Sequence, residues 1–422
     1  MSMTRRRRLC LPVGLVLAFA VVAAYGSPAA APRFRVQPYI TWVTTSSITI
    51  QWETDVASSS AVQYGATAAY GRTASTPEES RMHRVVVSGL MPGTPYHYRV
   101  KSRVGTEAVR SPGYTFRTAP GPNKPFRFAF LGDTHTRHGG HPFAPNAPLV
   151  ANAILGHKPD LVVHSGDVIK GTGSTSRDET EQQYRTELFG TQGNLMACTP
   201  YLNAIGDHER RGIAGDKAYA MYFDGHESPY WGKTYYTFTY GNARFIMLDA
   251  VITDDHAEGV EVPGLYAGSA QYKWLVKVLD NNTMPWIFLC YHYATYHSHP
   301  RFQQRDGEMR ALMGPLCDRY GVDMVMAGHA HLYERTHPIR AGVRDDADGT
   351  VYVTAGIGGG SLMATKPGAK LTAATFSAWG YGIANVAGGK LTLRVYDVAG
   401  STRDSRTLLD RRPASRELEK SR

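Results

Sequence analysis

FRFAFLGDTH, residues 126–135, is a short, mostly apolar run that stops at Gly132 and delivers two metal-ligand residue types, Asp133 and His135. The same punctuation recurs four times downstream. LVVHSGD (161–167) ends in Asp167, YLNAIGDHE (201–209) in Asp207 and His208, WIFLCYH (286–292) in His292, and VDMVMAGHAH (322–331) in His329 and His331. Between these strand-like runs lie helix-like segments such as DETEQQYRTELF (178–189) and SAQYKWLVKVLD (269–280). In the second, Tyr272, Leu275, Val276 and Leu279 fall on one helical face. Buried strands alternating with amphipathic helices predict an α/β domain. In such sheets the strands' carboxyl ends converge on one cleft, so residues distant in sequence can share a site. A single Asp after a strand is often only a cap or turn former, and a single His a satisfied polar group. Five such endings together point to a metal site, and mixed carboxylate and imidazole donors suit iron, zinc or manganese better than calcium.

Upstream the texture changes. From Phe34 to Thr118 apolar residues alternate with polar ones, as in Ile48, Ile50 and Trp52, and again in Tyr96, Tyr98 and Val100, with the turn GLMPGT (89–94) between. This predicts a small β-sandwich. The stiff segment APGPNKP (119–125) marks the boundary. The expected domains are thus a sandwich over 32–119, an α/β domain over 125–400 and a charged, solvated tail over 401–422. At the other end, Arg5 to Arg8 precede an apolar stretch from Leu9 to Tyr25 and small residues around Ala29-Ala30-Ala31. Residues 1–31 therefore read as a secretory signal peptide, with an uncleaved anchor as the alternative, and the mature chain is expected to be secreted or periplasmic.

Composition narrows the classes. The chain has 422 residues, 42% hydrophobic, with 43 Gly and 24 Pro, which excludes wholesale disorder, collagen and coiled coil. Of the formal charge of +10, four units belong to Arg5–Arg8. The remainder suits a small anionic, phosphorylated substrate. Basic residues nowhere cluster with aromatics, so no nucleic-acid patch is expected, and no stable membrane span remains after signal cleavage. Cys198, Cys290 and Cys317 fit no zinc or disulfide spacing and read mostly as small buried residues.

The series GDTH, GDVIKG, GDHE, His292 after its strand and GHAHLYER resembles the calcineurin-like metallophosphoesterases, and within them the purple acid phosphatases. AQYKWLVKVL, GEMRALM and VYVTAGIGGG add to the likeness. The resemblance implies a fibronectin type III-like sandwich followed by a four-layer αββα metallophosphatase domain. Leu90, Pro92, Gly93, Thr94 and Tyr96 resemble that sandwich's tyrosine-corner segment. It also implies two metal ions, of iron, zinc or manganese. Asp133, His135 and His331 would hold one, Asp207, His292 and His329 the other, and Asp167 would bridge them. His208 would contact the phosphoryl oxygens and protonate the leaving alkoxide while a bridging hydroxide attacks phosphorus. Glu209 and Glu334 read either as partners that orient imidazoles or as surface salt-bridge residues, and His297 and His299 lie shortly after His292, where the family places substrate-contacting histidines, though at a different offset.

Two positions depart from that family. Purple members carry a Tyr ligand where this chain has Lys170 and a Gly where it has His135, so one ligand is lost and another gained, and no tyrosinate absorption is expected. Asp207 stands where the family has Asn, which adds a negative charge and removes an amide donor. Asp249 reads as structural, His138 and His141 as loop residues near the cleft, and GIGGG (356–360) as a tight turn near the site, since no Lys-Ser/Thr follows it. The expected activity is phosphate monoester hydrolysis. A phosphodiesterase or nucleotide-directed hydrolase on the same site is the alternative among enzymes. A catalytically weak metal-binding surface module is the alternative from another class.

Overall fold

The computed structural model describes residues 30–135, 144–171, 176–211, 215–223, 234–250 and 264–409. The signal segment up to residue 29, His138 and His141, and the tail beyond residue 409 lie outside the described residues.

The sandwich comprises β1 (Phe34–Val43), β2 (Ser47–Gly65), β3 (Arg72–Ser88), β4 (Pro95–Val104), β5 (Glu107–Arg110) and β6 (Tyr114–Arg117). Strand β2 is long enough to serve three partners: it pairs antiparallel with β3 from Ser47 to Tyr64, Ile48–Thr54 pairs with β1, and Ala61–Gly65 pairs with β4. Its alternating residues Ile48, Ile50, Trp52 and Val62 meet Val85, Val87, Tyr98, Val100 and Phe116 in a dry core. The Tyr96 hydroxyl accepts from the Met91 amide five residues upstream, at 3.0 Å, and ties down the GLMPGT turn.

The second domain continues with β7 (Phe126–Leu131), α1 (Ala147–Gly156), β8 (Leu161–His164), α2 (Arg177–Gln183), a π-helical turn (Tyr184–Phe189), α3 (Gly190–Cys198), β9 (Tyr201–Asn203) and α4 (Gly215–Phe223). Next come β10 (Tyr236–Tyr240), β11 (Ala243–Met247), α5 (Ala270–Asp280), β12 (Trp286–Cys290), α6 (Gln303–Tyr320), β13 (Met324–Ala327) and β14 (Tyr333–Thr336). A small hairpin, β15 (Ile339–Arg340) and β16 (Val343–Arg344), precedes β17 (Val351–Ala355), β18 (Thr372–Phe376), β19 (Gly380–Ala387), β20 (Lys390–Asp397) and β21 (Thr402–Leu409). One sheet runs β21-β20-β19-β7-β8-β9, the other β10-β11-β12-β13-β17-β14-β18. In each, the strands that lead to the ligand-type residues are mutually parallel.

Alternation along the strands builds four layers. Phe126, Phe128 and Phe130 of β7 point inward and meet Phe245, Phe288, Met324 and Val353 of the facing sheet. Ala129 and Leu131 point the other way, onto Val150 and Ile154 of α1 and Leu195 of α3. On the far side Ile246, Leu289 and Val325 pack beneath Trp274, Leu275 and Leu279 of α5 and Met313 of α6. Helix α5 starts where Ser269 accepts from the Tyr272 amide at 3.1 Å, a side-chain cap. Its buried face is rotated slightly from the expected one: Trp274 rather than Tyr272 joins Leu275 and Leu279 inside.

One boundary needs correction. The charged tail was expected to separate from the α/β domain at residue 401, but Thr402–Leu409 forms β21, paired along its length with β20. Its charges suit an edge strand, whose outer side faces water. Asp404 turns inward to Arg335, at 2.7 and 3.0 Å, and to the Tyr333 hydroxyl at 2.8 Å. Among the described residues Cys198, Cys290 and Cys317 form no disulfide, and Cys290 and Cys317 are fully buried. Among the described residues no helix is long and apolar enough to cross a membrane.

Candidate metal centre

The parallel registers set the site. Leu131, His164 and Asn203 are level across β7, β8 and β9, so the loops that follow release Asp133, Asp167 and Asp207 on one rim. Cys290 and Met326 are level in the other sheet, releasing His292, His329 and His331 opposite. All seven ligand-type residues converge. Asp133, His135, Asp167 and His331 form one group, and Asp207, His292 and His329 a second. Asp167 and Asp207 meet again in a third group with His208.

Asp167 lies between the groups: its Oδ2 is 3.5 Å from His135 Nε2 and 3.3 Å from His292 Nε2. Asp133 Oδ1 lies 3.2 Å from His331 Nε2, while Asp207 Oδ1 lies 2.9 Å from His292 Nε2 and 3.2 Å from His329 Nδ1. Three of the imidazoles are aimed by one device, in which a backbone carbonyl takes Nδ1 and leaves Nε2 for the site. The carbonyls are Ser165 for His292 (2.9 Å), Ser361 for His331 (2.6 Å) and Lys170 for His208. The His208 ring stacks on His135 at 4.1 Å, and its Nε2 stands 3.8 Å from Asp167 Oδ2.

Electrostatics follow from burial and neighbours. Burial, with His208 beside it, drives His135 down to about 3, so its imidazole is neutral and able to ligate. Burial opposes ionisation of Asp207, but its bonds to His292 and His329 hold it well below the usual carboxylate range. Burial opposes charge on His292 too, yet Asp167 and Asp207 hold it well above the usual imidazole range. Three carboxylates are thus gathered out of water beside four imidazoles, and the buried Nε2 of His329 has no hydrogen-bond partner. A donor set of this charge and composition fits two divalent cations of the borderline kind.

Several expectations change. Glu209 was expected to orient an imidazole. Its carboxylate instead accepts from the backbone amides of Asp167 (3.0 Å), Gly206 (2.7 Å) and Val168, tying two ligand loops together. Burial, then the charge of Asp167, pushes it up to about 8. Glu334 likewise holds backbone and hydroxyls, taking Ser298 N (3.0 Å), Ser298 Oγ (2.6 Å) and Thr372 Oγ1 (2.5 Å). His297 was expected to contact substrate, but its side chain is wholly buried with Nε2 3.1 Å from Asp306 of α6. His299 is half-buried with its ring 6.0 Å from Phe302. Asp249 is structural, paired in the interior with Arg210. The GIGGG run turns beneath the site, with Gly360 N on Asp133 O at 2.9 Å.

Two neighbours of the site were not anticipated. Phe302 packs on the His329 ring at 4.3 Å, for which the sequence carries no signal. Arg211 reaches Asp207, and there the i, i+4 spacing in GDHERR was the available clue.

Comparison with known proteins agrees with this geometry. Residues 126–333 match the calcineurin-like phosphoesterase family and residues 35–118 match the purple acid phosphatase N-terminal domain. The chain thus carries a calcineurin-like phosphoesterase domain behind an N-terminal domain of the purple acid phosphatase type. Purple acid phosphatase 15 of Arabidopsis thaliana is 29% identical over 66% of this chain and 53% of its own length. An uncharacterised Mycobacterium tuberculosis protein is 29% identical over 65% of this chain and 54% of its own. The chain thus spans about half the length of these curated relatives. The structure of purple acid phosphatase PPD1 from yellow lupin seeds superposes with a TM-score of 0.73 at 22% identity, covering 90% of this chain and 74% of that one. The fold is therefore shared.

Proposed function

We propose that the chain is an exported, metal-dependent phosphoesterase that hydrolyses phosphate monoesters. One observation carries this reading: Asp167 Oδ2 stands between two ligand groups, 3.5 Å from His135 of one and 3.3 Å from His292 of the other, with His208 Nε2 3.8 Å from the same oxygen. In it Asp133, His135 and His331 hold one cation, Asp207, His292 and His329 the other, and Asp167 both. Bound there, two cations would lower the pKa of coordinated water and neutralise charge on the phosphoryl group.

The chain's own residues do the rest. His208 keeps its Nδ1 proton on the Lys170 carbonyl, which fixes the ring and turns Nε2 toward the site. A proton at Nε2 passes to the alkoxide oxygen as the phosphorus–oxygen bond breaks, a contribution on the order of 10²–10⁴ in rate. The buried walls around His135 and His292 keep bulk water out and strengthen every charge interaction inside. Export rests on the Arg5–Arg8 run and the apolar stretch behind it.

The test is turnover of paired aryl phosphate monoester and diester substrates by metal-stripped protein, then by protein reloaded with zinc, manganese or iron. The expected result is no turnover without metal, recovery with it, preference for the monoester, and a loss of about 10²-fold or more on His208→Ala. Preference for the diester would move the assignment to a phosphodiesterase. Two bound metals without turnover of either substrate would leave a binding module.

A further inference from the structure

Asp207 presents its two oxygens to different environments. Oδ1 faces the site, at His292 and His329, whereas Oδ2 turns outward to Arg211 Nη2 at 3.3 Å. The carboxylate is 5% exposed and the guanidinium side chain 38% exposed, so the pair spans the boundary between the buried site and water. This orientation is built in. Residues 207–210 form a turn that closes with Arg211 N on His208 O at 3.3 Å, and the neighbouring Arg210 is locked inside against Asp249 and Thr234. With Arg210 held inward, the next side chain is delivered to the rim.

We infer that Asp207 and Arg211 act as one unit that does the work of an amide. The carboxylate offers Oδ1 as a metal ligand, while the guanidinium cancels its charge and restores the N–H donors that a carboxylate lacks. Without Arg211 the site would carry one negative charge more than an amide-bearing site. That charge would repel a phosphate dianion and hold the second cation more tightly. With it, the fork of N–H groups at the rim is placed to receive a phosphoryl oxygen. Arg211 is thereby assigned as a charge-balancing and phosphate-positioning residue, an assignment that rests on the phosphoesterase reading above.

The test compares the full chain with Arg211→Gln, Asp207→Asn and the double variant, without using turnover. Zinc is titrated into metal-stripped protein, and inorganic phosphate into the zinc-loaded form, by calorimetry. Arg211→Gln is expected to weaken phosphate binding about ten-fold and to tighten the weaker zinc site. Asp207→Asn should weaken that zinc site without weakening phosphate binding. The double variant, which restores the charge count, should return phosphate affinity to within about three-fold of wild type. Wild-type protein that takes up fewer than two zinc ions would overturn the metal-site reading and this inference with it. Two zinc ions bound, with Arg211→Gln unchanged or the double variant as weak as the single, would overturn this inference alone.

Discussion

Asp133, Asp167 and His329 have φ values of 59°, 62° and 66°, in the left-handed region that side-chain-bearing residues rarely occupy. They make up half of the six such non-glycine residues described. Each costs roughly 1–3 kcal/mol, so surrounding bonds must hold it there. His329 N donates to both oxygens of Asp133, at 3.1 and 3.0 Å, and each strained residue thereby supports another. Asp167 depends on Glu209, whose carboxylate gathers three backbone amides from two loops. Glu209→Gln keeps the shape but turns an NH₂ donor toward one of those amides, at a cost of about 1–3 kcal/mol. Because no ligand is removed, the expected loss is in precision: zinc affinity falls about 10–100-fold while both sites still fill at high zinc. Titration of metal-stripped protein reads this directly, and an unchanged zinc isotherm would reduce Glu209 to a space-filling role.

At the level of elements, the ligand loops nest because glycine precedes several of their ligands. A Cβ on Gly206 would lie 2.2 Å from Asp167 Oδ1 and 2.5 Å from its amide, and one on Gly328 would lie 2.4 Å from Asp133 Oδ2. Gly206→Ala must therefore push the Asp207–His208 turn away from Asp167. Loss of the second metal equivalent and of most turnover is expected, with the sheets intact by circular dichroism. Full metal occupancy in Gly206→Ala would show that the loops have slack. This arrangement also explains what the sequence disclosed. Strand, glycine and ligand-type residue are contiguous in GDTH, SGD, GDHE and AGHAH, so the α/β class and the clustering ligand-type residues could be read locally. Partners brought together by the fold left no such trace. Asp306 sealing His297, Glu334 holding Ser298 and Asp404 drawing β21 onto Arg335 each join segments whose relation exists only after folding. In β21 the charges suggested a solvated tail, because an edge strand and a solvated tail share the same polar composition.

Across the whole molecule, the sandwich is three contacts from His208. Glu53, buried in β2, takes Arg185 of the π-helical turn at 2.9 and 2.7 Å, and Tyr222 of α4 adds a bond of 3.2 Å. From the same turn Glu187 accepts the Lys170 amide at 3.0 Å, and Gln183 of α2 accepts the Gly171 amide at 3.0 Å. The Lys170 carbonyl is the partner of His208 Nδ1. Irregular helical turns of this kind are frequent at functional sites, and here one carries the inter-domain ion pair on one side and the loop that holds His208 on the other. Arg185→Met strands the Glu53 carboxylate in a dry interface, at a cost of about 3–5 kcal/mol. The expected outcome is a lower melting temperature together with a several-fold fall in kcat, at unchanged metal content, because His208 loses the anchoring of its carbonyl partner. Adding Glu53→Gln removes the stranded charge and should recover at least half of the lost stability. Recovery of kcat in step would show that the sandwich holds the acid in place through this turn. A melting shift with kcat untouched in Arg185→Met would confine the sandwich to stabilising the fold, since the path to His208 would then transmit nothing.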